Sequence, residues 1–390
     1  MSNYFSYIPL ELTEIVIAFL DINSFSRFIS FSTDYVLSTI TEKLNWNAIY
    51  YLRSDRLIKI NYNDYYNLLS VEILKRKLKL ENNVEDIYYG EELDLAGEGL
   101  SKVPMEIGSL INLKRLDLES NGLYSIPKQV GNLINLEILD ISKNNLSAIP
   151  KEVNKLINLT GLYVTNNELT NIFEDITNLI HLKTLRLFNN ELIGIPKEIA
   201  NLKSLELLDI RHNNLSFISP EIGYLINLKR LILSSNGIRE LPASIENLTN
   251  LNVLNLARNK LTKFPLQITK LSNLKELHLQ GNKIENLPKE IYRLVKLLRL
   301  NLNANELLII PREIGDLTNR RFDVNFDDLR SSKITTNLQH LHIGRNNITF
   351  IPNEIQNLIN LQSLFLGHNK LTNAEINRVR LLLPNTAIGI

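Results

Sequence analysis

The chain has 390 residues, 44% hydrophobic and 22% charged, and its 43 basic and 42 acidic residues leave a formal charge of +1. This is the composition of a folded protein, with no global attraction for nucleic acid or an anionic membrane. Cysteine is absent, which excludes disulfides, thiolate metal sites and cysteine nucleophiles. The first residues lack the pattern of a signal peptide, and no apolar run approaches the ~18 residues that span a bilayer. A cytoplasmic or nuclear protein is expected, in a host cell if its source is a virus.

Residues 1–89 carry 16 of the 28 aromatic residues, so two architectures are expected to meet near residue 90. The first begins with a predicted helix at Pro9, with Glu11 and Glu14 in its opening turns. Leu12, Val16, Phe19 and Leu20 share one helical face. An apolar series at Phe25, Phe28 and Phe31 follows, then a third helical stretch with Leu44 and Trp46. Residues 1–56 are read as this small helical module and 57–89 as a helical cap or linker. Within the latter, Leu68, Val71, Leu74 and Leu78 form a stripe suited to packing on whatever comes next.

What comes next is a repeat. Segments opening at Leu113, Leu136, Leu159 and onward to Leu297 recur every 23 residues, with a weaker unit from Gly90 and two more at Leu338 and Leu361. The count is about twelve units over residues 90–372. Leu139 and Ile141 of the second full unit alternate as in a short strand with one face inward. A constant asparagine follows each strand, from Asn121 through Asn144 to Asn369. A stacked column of amides can satisfy turn backbone groups that no strand partner reaches. Proline then fixes φ and opens a short turn or helix, as at Pro150.

The step from Leu297 to Leu338 is 18 residues longer than the period, which marks Arg320–Asn337 as a charged insertion. Such insertions map to loops. At the end, Ile376, Val379, Arg380 and Leu383 stand at helical spacing before Pro384. Residues 373–390 are read as a terminal cap.

Side chains between the strand leucines face away from the core. Along the chain this row begins with Asp94, Asp117 and Asp140, passes Tyr163, Arg186, Asp209 and Ile232, and ends with His278, His342 and Phe365. With neighbours on the same strands, Tyr163, Arg186, Phe188, Leu207, Arg211 and Ile232 form a patch of the residue types favoured at protein-binding hot spots. This patch is the candidate target-binding site. His340 and His342 point the same way, as two metal ligands would, but Arg299, Asn301, Ser363 and Phe365 beside them bring no carboxylate. No metal site, cofactor or catalytic residue is predicted. No phosphate-cradling loop or nucleophile elbow occurs, and the basic residues form no stripe for nucleic acid.

The repeating units resemble the leucine-rich repeat family, in particular the 23-residue intracellular kind of Ras-suppressor-like proteins. The resemblance implies an α/β solenoid, a curved horseshoe with a parallel sheet on its concave side, that binds protein. The order of Ile8, Pro9, Glu11, Leu12, Val16, Phe19 and Leu20, then the phenylalanine series and Trp46, resembles the F-box motif over residues 8–52. Ile15, Ser26 and Ser30 depart from that family's usual residue types. The resemblance implies docking on the adaptor subunit of a cullin–RING ubiquitin ligase, with Pro9, Leu12, Val16 and Leu20 as the contact set. The chain would then be a non-enzymatic substrate-recruiting subunit. The rival expectation is a ligase-independent scaffold or inhibitor whose first 89 residues only cap the solenoid.

Overall fold

The computed structural model describes residues 49–53, 56–60, 62–317 and 337–390. The helix predicted at Pro9–Leu20, the phenylalanine series, Trp46 and nearly all of the insertion lie outside the described residues.

Ile49–Arg53 (β1) and Arg56–Ile60 (β2) pair as an antiparallel ladder, in register from Ile49↔Ile60 to Arg53↔Arg56. The sequence reading expects only helices before residue 90 and does not include this ladder. Its physical basis is the run Ile49-Tyr50-Tyr51-Leu52, dense in the β-branched and aromatic residues that suit a pleated surface. Helix α1 (Tyr62–Leu78) follows, then α2 (Val84–Tyr89), whose first turn is capped by Asn83 Oδ1 accepting from Asp86 N at 2.7 Å. Leu68, Val71 and Leu74 of α1 and Val84, Ile87 and Tyr88 of α2 are buried in the same continuous core as the repeats. Lys77 pairs with Glu106 of the first repeat at 2.7 Å. These two helices close the open end of the stack, because a terminal repeat otherwise leaves one apolar face in water.

The stack is a 13-stranded parallel sheet. Its first strands are β3 (Glu92–Asp94), β4 (Arg115–Asp117), β5 (Ile138–Asp140), β6 (Gly161–Tyr163) and β7 (Thr184–Arg186). Then come β9 (Leu207–Asp209), β11 (Arg230–Ile232), β12 (Val253–Asn255), β13 (Glu276–His278) and β14 (Arg299–Asn301). The series ends with β15 (His340–His342), β16 (Ser363–Phe365) and β17 (Ala387–Gly389). On the opposite side β8 (Gly194–Ile195) and β10 (Phe217–Ile218) form a separate short parallel pair. Every sheet strand has three residues, and in the strands between the two edges the central leucine and the residues beside it are held by both neighbours before the chain turns. The register is constant: Leu116, Leu139, Leu162, Leu185 and Leu208 stand side by side, and all are fully buried.

The asparagine column is the turn's hydrogen-bond system. Asn144 Oδ1 accepts from Leu123 N at 3.1 Å, while its Nδ2 donates to Leu118 O, Ile141 O and Ser142 O at 3.0–3.1 Å. The same pattern recurs from repeat to repeat and accounts for the burial of a polar side chain, since every polar atom has a partner. A second column was not foreseen. Asn135, Asn158, Asn227, Asn250, Asn273 and Asn337 donate Nδ2 to a carbonyl of the preceding repeat at 2.7–3.0 Å, and Asn112 does so to Tyr88 O of α2 at 3.0 Å. His181, Ser204 and Lys296 interrupt it.

In most repeats a proline caps a one-turn 3-10 helix, as Pro150 does for Lys151–Lys155, and Val153 and Leu156 turn back into the core. Between strand and asparagine the chain passes through a left-handed residue, with φ near 50–60° at ten non-glycine positions from Ser120 to His368 and 73° at Gly281.

The insertion leaves this lattice unchanged. β14 pairs with β15 in the common register, and Asn346 Oδ1 accepts from Leu307 N at 3.0 Å just as every other column asparagine does. At the far end α3 (Asn373–Leu382) is capped by Thr372 and buries Ile376 and Val379, with Leu383 buried behind it. Arg380, expected on the same stripe, is exposed instead and bonds Asn377 at 3.4 Å. Arg378 fastens the helix: it stacks on Phe350 at 4.6 Å, pairs with Glu375 at 2.6 Å and donates to Asn353 Oδ1 and Ile351 O. The chain then returns as β17 and pairs with β16, so the cap supplies the last strand of the sheet as well as its lid.

Candidate functional site

The interleucine side chains line one face of the sheet in strand order, because residues in register on a parallel sheet project together. Asp117, Asp140, Tyr163, Arg186, Asp209, Ile232 and Asn255 occupy consecutive strands. Tyr163, Arg186, Phe188, Leu207, Arg211 and Ile232 therefore meet on β6, β7, β9 and β11 and on the residues directly after those strands. Leu207 lies between Thr184 and Arg230, and Ile232 lies between Asp209 and Asn255.

Two arginine–aromatic stacks sit next to each other in this patch. The Arg186 guanidinium carbon is 5.6 Å from the Tyr163 ring centre, and that of Arg211 is 4.7 Å from the Phe188 ring centre. Such pairs hold a charged group and a flat apolar surface in one orientation. Asp209 lies between them, 3% exposed, with Arg211 Nε at 3.4 Å from Oδ2 and Arg211 N donating to Oδ1 at 3.3 Å. Burial pushes its carboxyl above the ordinary carboxylate range, against the opposing pull of the Arg211 and Arg186 charges. Sequence reasoning placed Asp209 in the row but did not see it as the group that orients Arg211. Gly161 was also missed: a Cβ there would stand 3.0 Å from the Tyr163 ring, so the glycine makes room for the tyrosine to lie along the sheet.

The acidic end has a local explanation. Asp94, Asp117 and Asp140 each accept, through Oδ1, the backbone N–H two residues on, at 2.9–3.0 Å. Asn255 and Asn301 make the same bond at 3.0–3.1 Å. The residue type thus follows from a turn that needs a short side-chain acceptor. Asp117, Glu119 and Asp140 converge within 4.8 Å of one another. Arg115 pairs with Asp117 at 3.0 Å and Lys143 with Glu119 at 2.9 Å, so cations already on the chain answer part of that charge. Burial, with the charges of Asp117 and Glu119, raises the Asp140 carboxyl.

The histidines do not converge as a metal site would. His340 Nδ1 bonds Ser363 Oγ at 2.8 Å, and His278 Nε2 lies 3.2 Å from Glu276 Oε2, while Arg299 holds the other carboxylate oxygen, Oε1, at 3.3 Å. His342 packs edge-on to Phe365 at 6.4 Å. Burial and the neighbouring His340 and His278 lower its basicity. Among the described residues the acidic trio is the one set of three or more His, Asp and Glu ligands close enough for a shared ion. Pro9, Leu12, Val16 and Leu20 lie outside the described residues.

Sequence profiles of leucine-rich repeats match residues 111–169, 166–260, 273–294 and 337–358. No curated protein matches the sequence. A solved leucine-rich repeat protein of Leptospira interrogans is 34% identical, covers 81% of this chain and is covered over 86% of its own length, with a TM-score of 0.56. This chain is a leucine-rich repeat protein. An internalin of Listeria monocytogenes, 24% identical over 82% of this chain and 87% of its own, has a TM-score of 0.67 and shares the fold. The profile matches break off on either side of residues 295–336, which contain the insertion. Leucine-rich repeat proteins generally mediate protein–protein interaction on a scaffold that is typically non-enzymatic. Among its described residues no helix is long and apolar enough to cross a membrane.

Proposed function

We propose that the chain is a protein-binding receptor whose concave patch of Tyr163, Arg186, Phe188, Leu207, Arg211 and Ile232 grips a protein target. The observation that carries this reading is the pair of adjacent arginine–aromatic stacks on rigid, register-locked strands. Aromatic and arginine side chains held in place before binding lose little freedom on contact and supply most of the energy at protein interfaces. The patch also has no evident role in the core, since Arg186 is exposed and Phe188 only half-buried.

The receptor is further proposed to be the substrate-recruiting subunit of a cullin–RING ubiquitin ligase, in the cytoplasm, with the ligase adaptor docking on residues 8–52. Support for this second step comes from the F-box-like order of Pro9, Leu12, Val16 and Leu20 alone. Bringing a target beside the ligase raises its effective concentration without any chemistry by this chain. The alternative, a ligase-independent scaffold or inhibitor, is favoured by one observation: residues 62–89 already have a structural task as the lid of the solenoid.

Proximity labelling in cells separates the readings. The full chain should label both a ligase adaptor and a target. Pro9→Ala with Leu12→Asp should lose the adaptor and keep the target, while Phe188→Ala with Arg211→Ala should do the reverse. A full chain that labels its target but no adaptor establishes the scaffold instead.

A further inference from the structure

We propose that the carboxyl-terminal half of the concave face carries an anion-binding cradle, formed by Arg258 and Arg345, that accepts an acidic side chain of a bound peptide. The left-handed turn residues form a row along the rim, each spaced from the next by one strand. Arg258 N donates to Gln280 O, Gly281 N to Asn303 O, Ala304 N to Gly344 O and Arg345 N to Gly367 O. In this row two of the smallest residues, Gly281 and Ala304, stand consecutively between the two arginines. The missing side chains leave a cavity of about 360 Å³ lined by Arg258, Gln280, Gly281, Ala304, Arg345 and Phe365, with Asn303 also on its wall.

Three features give the cavity its chemistry. Arg258 and Arg345 are exposed and meet no carboxylate among the described residues, whereas Arg115, Arg211 and Arg299 on the same face each pair with one. Two unpaired guanidiniums on one small cavity favour carboxylate or phosphate oxygens, which accept charge-assisted hydrogen bonds from both. Gln280 brings a side-chain amide to the cavity wall, a group able both to donate and to accept. Asn303 Oδ1 accepts from Gly344 N at 2.7 Å, which fixes the amide with its Nδ2 end as a remaining donor. Phe365 closes the far wall. Its ring lies across Gly344 and Gly389, where any Cβ would collide with it.

The size restricts the ligand. A cavity at the low end of the ~300–1,000 Å³ range of ligand sites holds one side-chain-sized group. An anionic side chain of that size supplies the acceptor oxygens that both arginines need. The inference rests on the reading of the concave face as protein-binding, and it concerns residues distinct from the central patch.

Fluorescence anisotropy with the full-length protein tests it. The probes are labelled peptides of one sequence carrying phosphoserine, glutamate or serine at the centre, together with inorganic phosphate as competitor. The phosphoserine or the glutamate peptide should bind at least tenfold more tightly than the serine peptide, and the stronger of the two identifies the anion. Arg258→Ala and Arg345→Ala should each weaken that binding about tenfold or more, as expected for loss of a charged hydrogen bond. Ala304→Leu should block the cavity, and Arg299→Ala should have no effect. Matching melting temperatures show that the variants are folded. Equal binding of all three peptides, binding of inorganic phosphate but of neither anionic peptide, or indifference to both arginine variants would overturn the cradle. None of these results touches the central patch, whose failure is read from Phe188→Ala with Arg211→Ala.

Discussion

The asparagine column makes a quantitative prediction at Asn259, which is 7% exposed and lies between two intact repeats. Its Nδ2 donates to Leu233 O at 2.9 Å, Leu256 O at 3.0 Å and Ala257 O at 3.3 Å. Its Oδ1 accepts from Ile238 N at 3.1 Å. These bonds are not equal when the side chain is removed. Leu233 O keeps the Asn236 amide at 3.1 Å, and Leu256 O keeps that of Asn282 at 3.0 Å. Ile238 N has no other acceptor in the turn and would be left bare in the interior. One orphaned buried N–H costs roughly 1–3 kcal/mol, and the lost neutral bonds to carbonyls that retain a second donor add about 1 kcal/mol. Asn259→Ala should therefore destabilise by about 2–4 kcal/mol in urea unfolding followed by circular dichroism. Hydrogen exchange should show where the damage falls. The Ile238 amide should exchange much faster, while that of Leu261, which is held by Asn282 at 3.0 Å, should change little. A loss below about 0.5 kcal/mol, the range of an ordinary surface substitution, or equal acceleration at both amides, would refute the account.

Other consequences follow from the same geometry. Asp140→Asn keeps the acceptor for Ser142 N, as Asn255 and Asn301 show, and removes a carboxylate held close to Asp117 and Glu119. Because burial and those charges raise the Asp140 carboxyl in the folded state, the native protein binds the proton more tightly and loses stability as pH rises above the ordinary carboxylate range. The variant should be more stable by about 1 kcal/mol at pH 7, with the difference closing toward pH ~4, in unfolding measured across that interval. Deleting Arg320–Asn337 brings Asn319 directly before Leu338 and restores the 23-residue spacing; since β14 and β15 already pair in the common register, stability should change by less than about 1 kcal/mol in thermal melts. Gly131→Ala should cost about 1–3 kcal/mol, because its Cβ would press into the Glu152 carbonyl of the next repeat; Ser235→Gly, which relieves a left-handed residue at φ 57°, should gain about 1 kcal/mol by the same assay.

Much of the candidate site can be read in the linear pattern. That Tyr163, Arg186 and Ile232 project together follows from alternation within each strand and from the constant period, which together determine the lateral neighbours. Other features could not be read so. Asp209 was visible in its row, but its role in holding Arg211 depends on how far an arginine side chain bends back. The task of Asp94, Asp117 and Asp140 lies in Oδ1 atoms that accept backbone N–H groups, which their spacing alone does not show. The signal was available, since asparagine replaces aspartate at positions 255 and 301, and the two share an oxygen acceptor but not a charge. Arg380 fell on the predicted stripe by spacing alone, yet the end of a short helix turned it outward and left Arg378 to make the contacts.

The sequence by itself determined the repeat length, which side chains are interior, the buried asparagine column and the places where the stack needs lids. These are matters of local period and of the burial each residue type tolerates, and they hold whatever lies alongside. Only the tertiary structure decided which residues from different repeats touch: the second asparagine column, the return of the chain as β17, and the cavity between Arg258 and Arg345 where two small residues fall in one row. Those outcomes depend on rotamers and on contacts between residues 23 or more positions apart, and a pattern within one repeat contains no information about what its neighbour leaves unfilled.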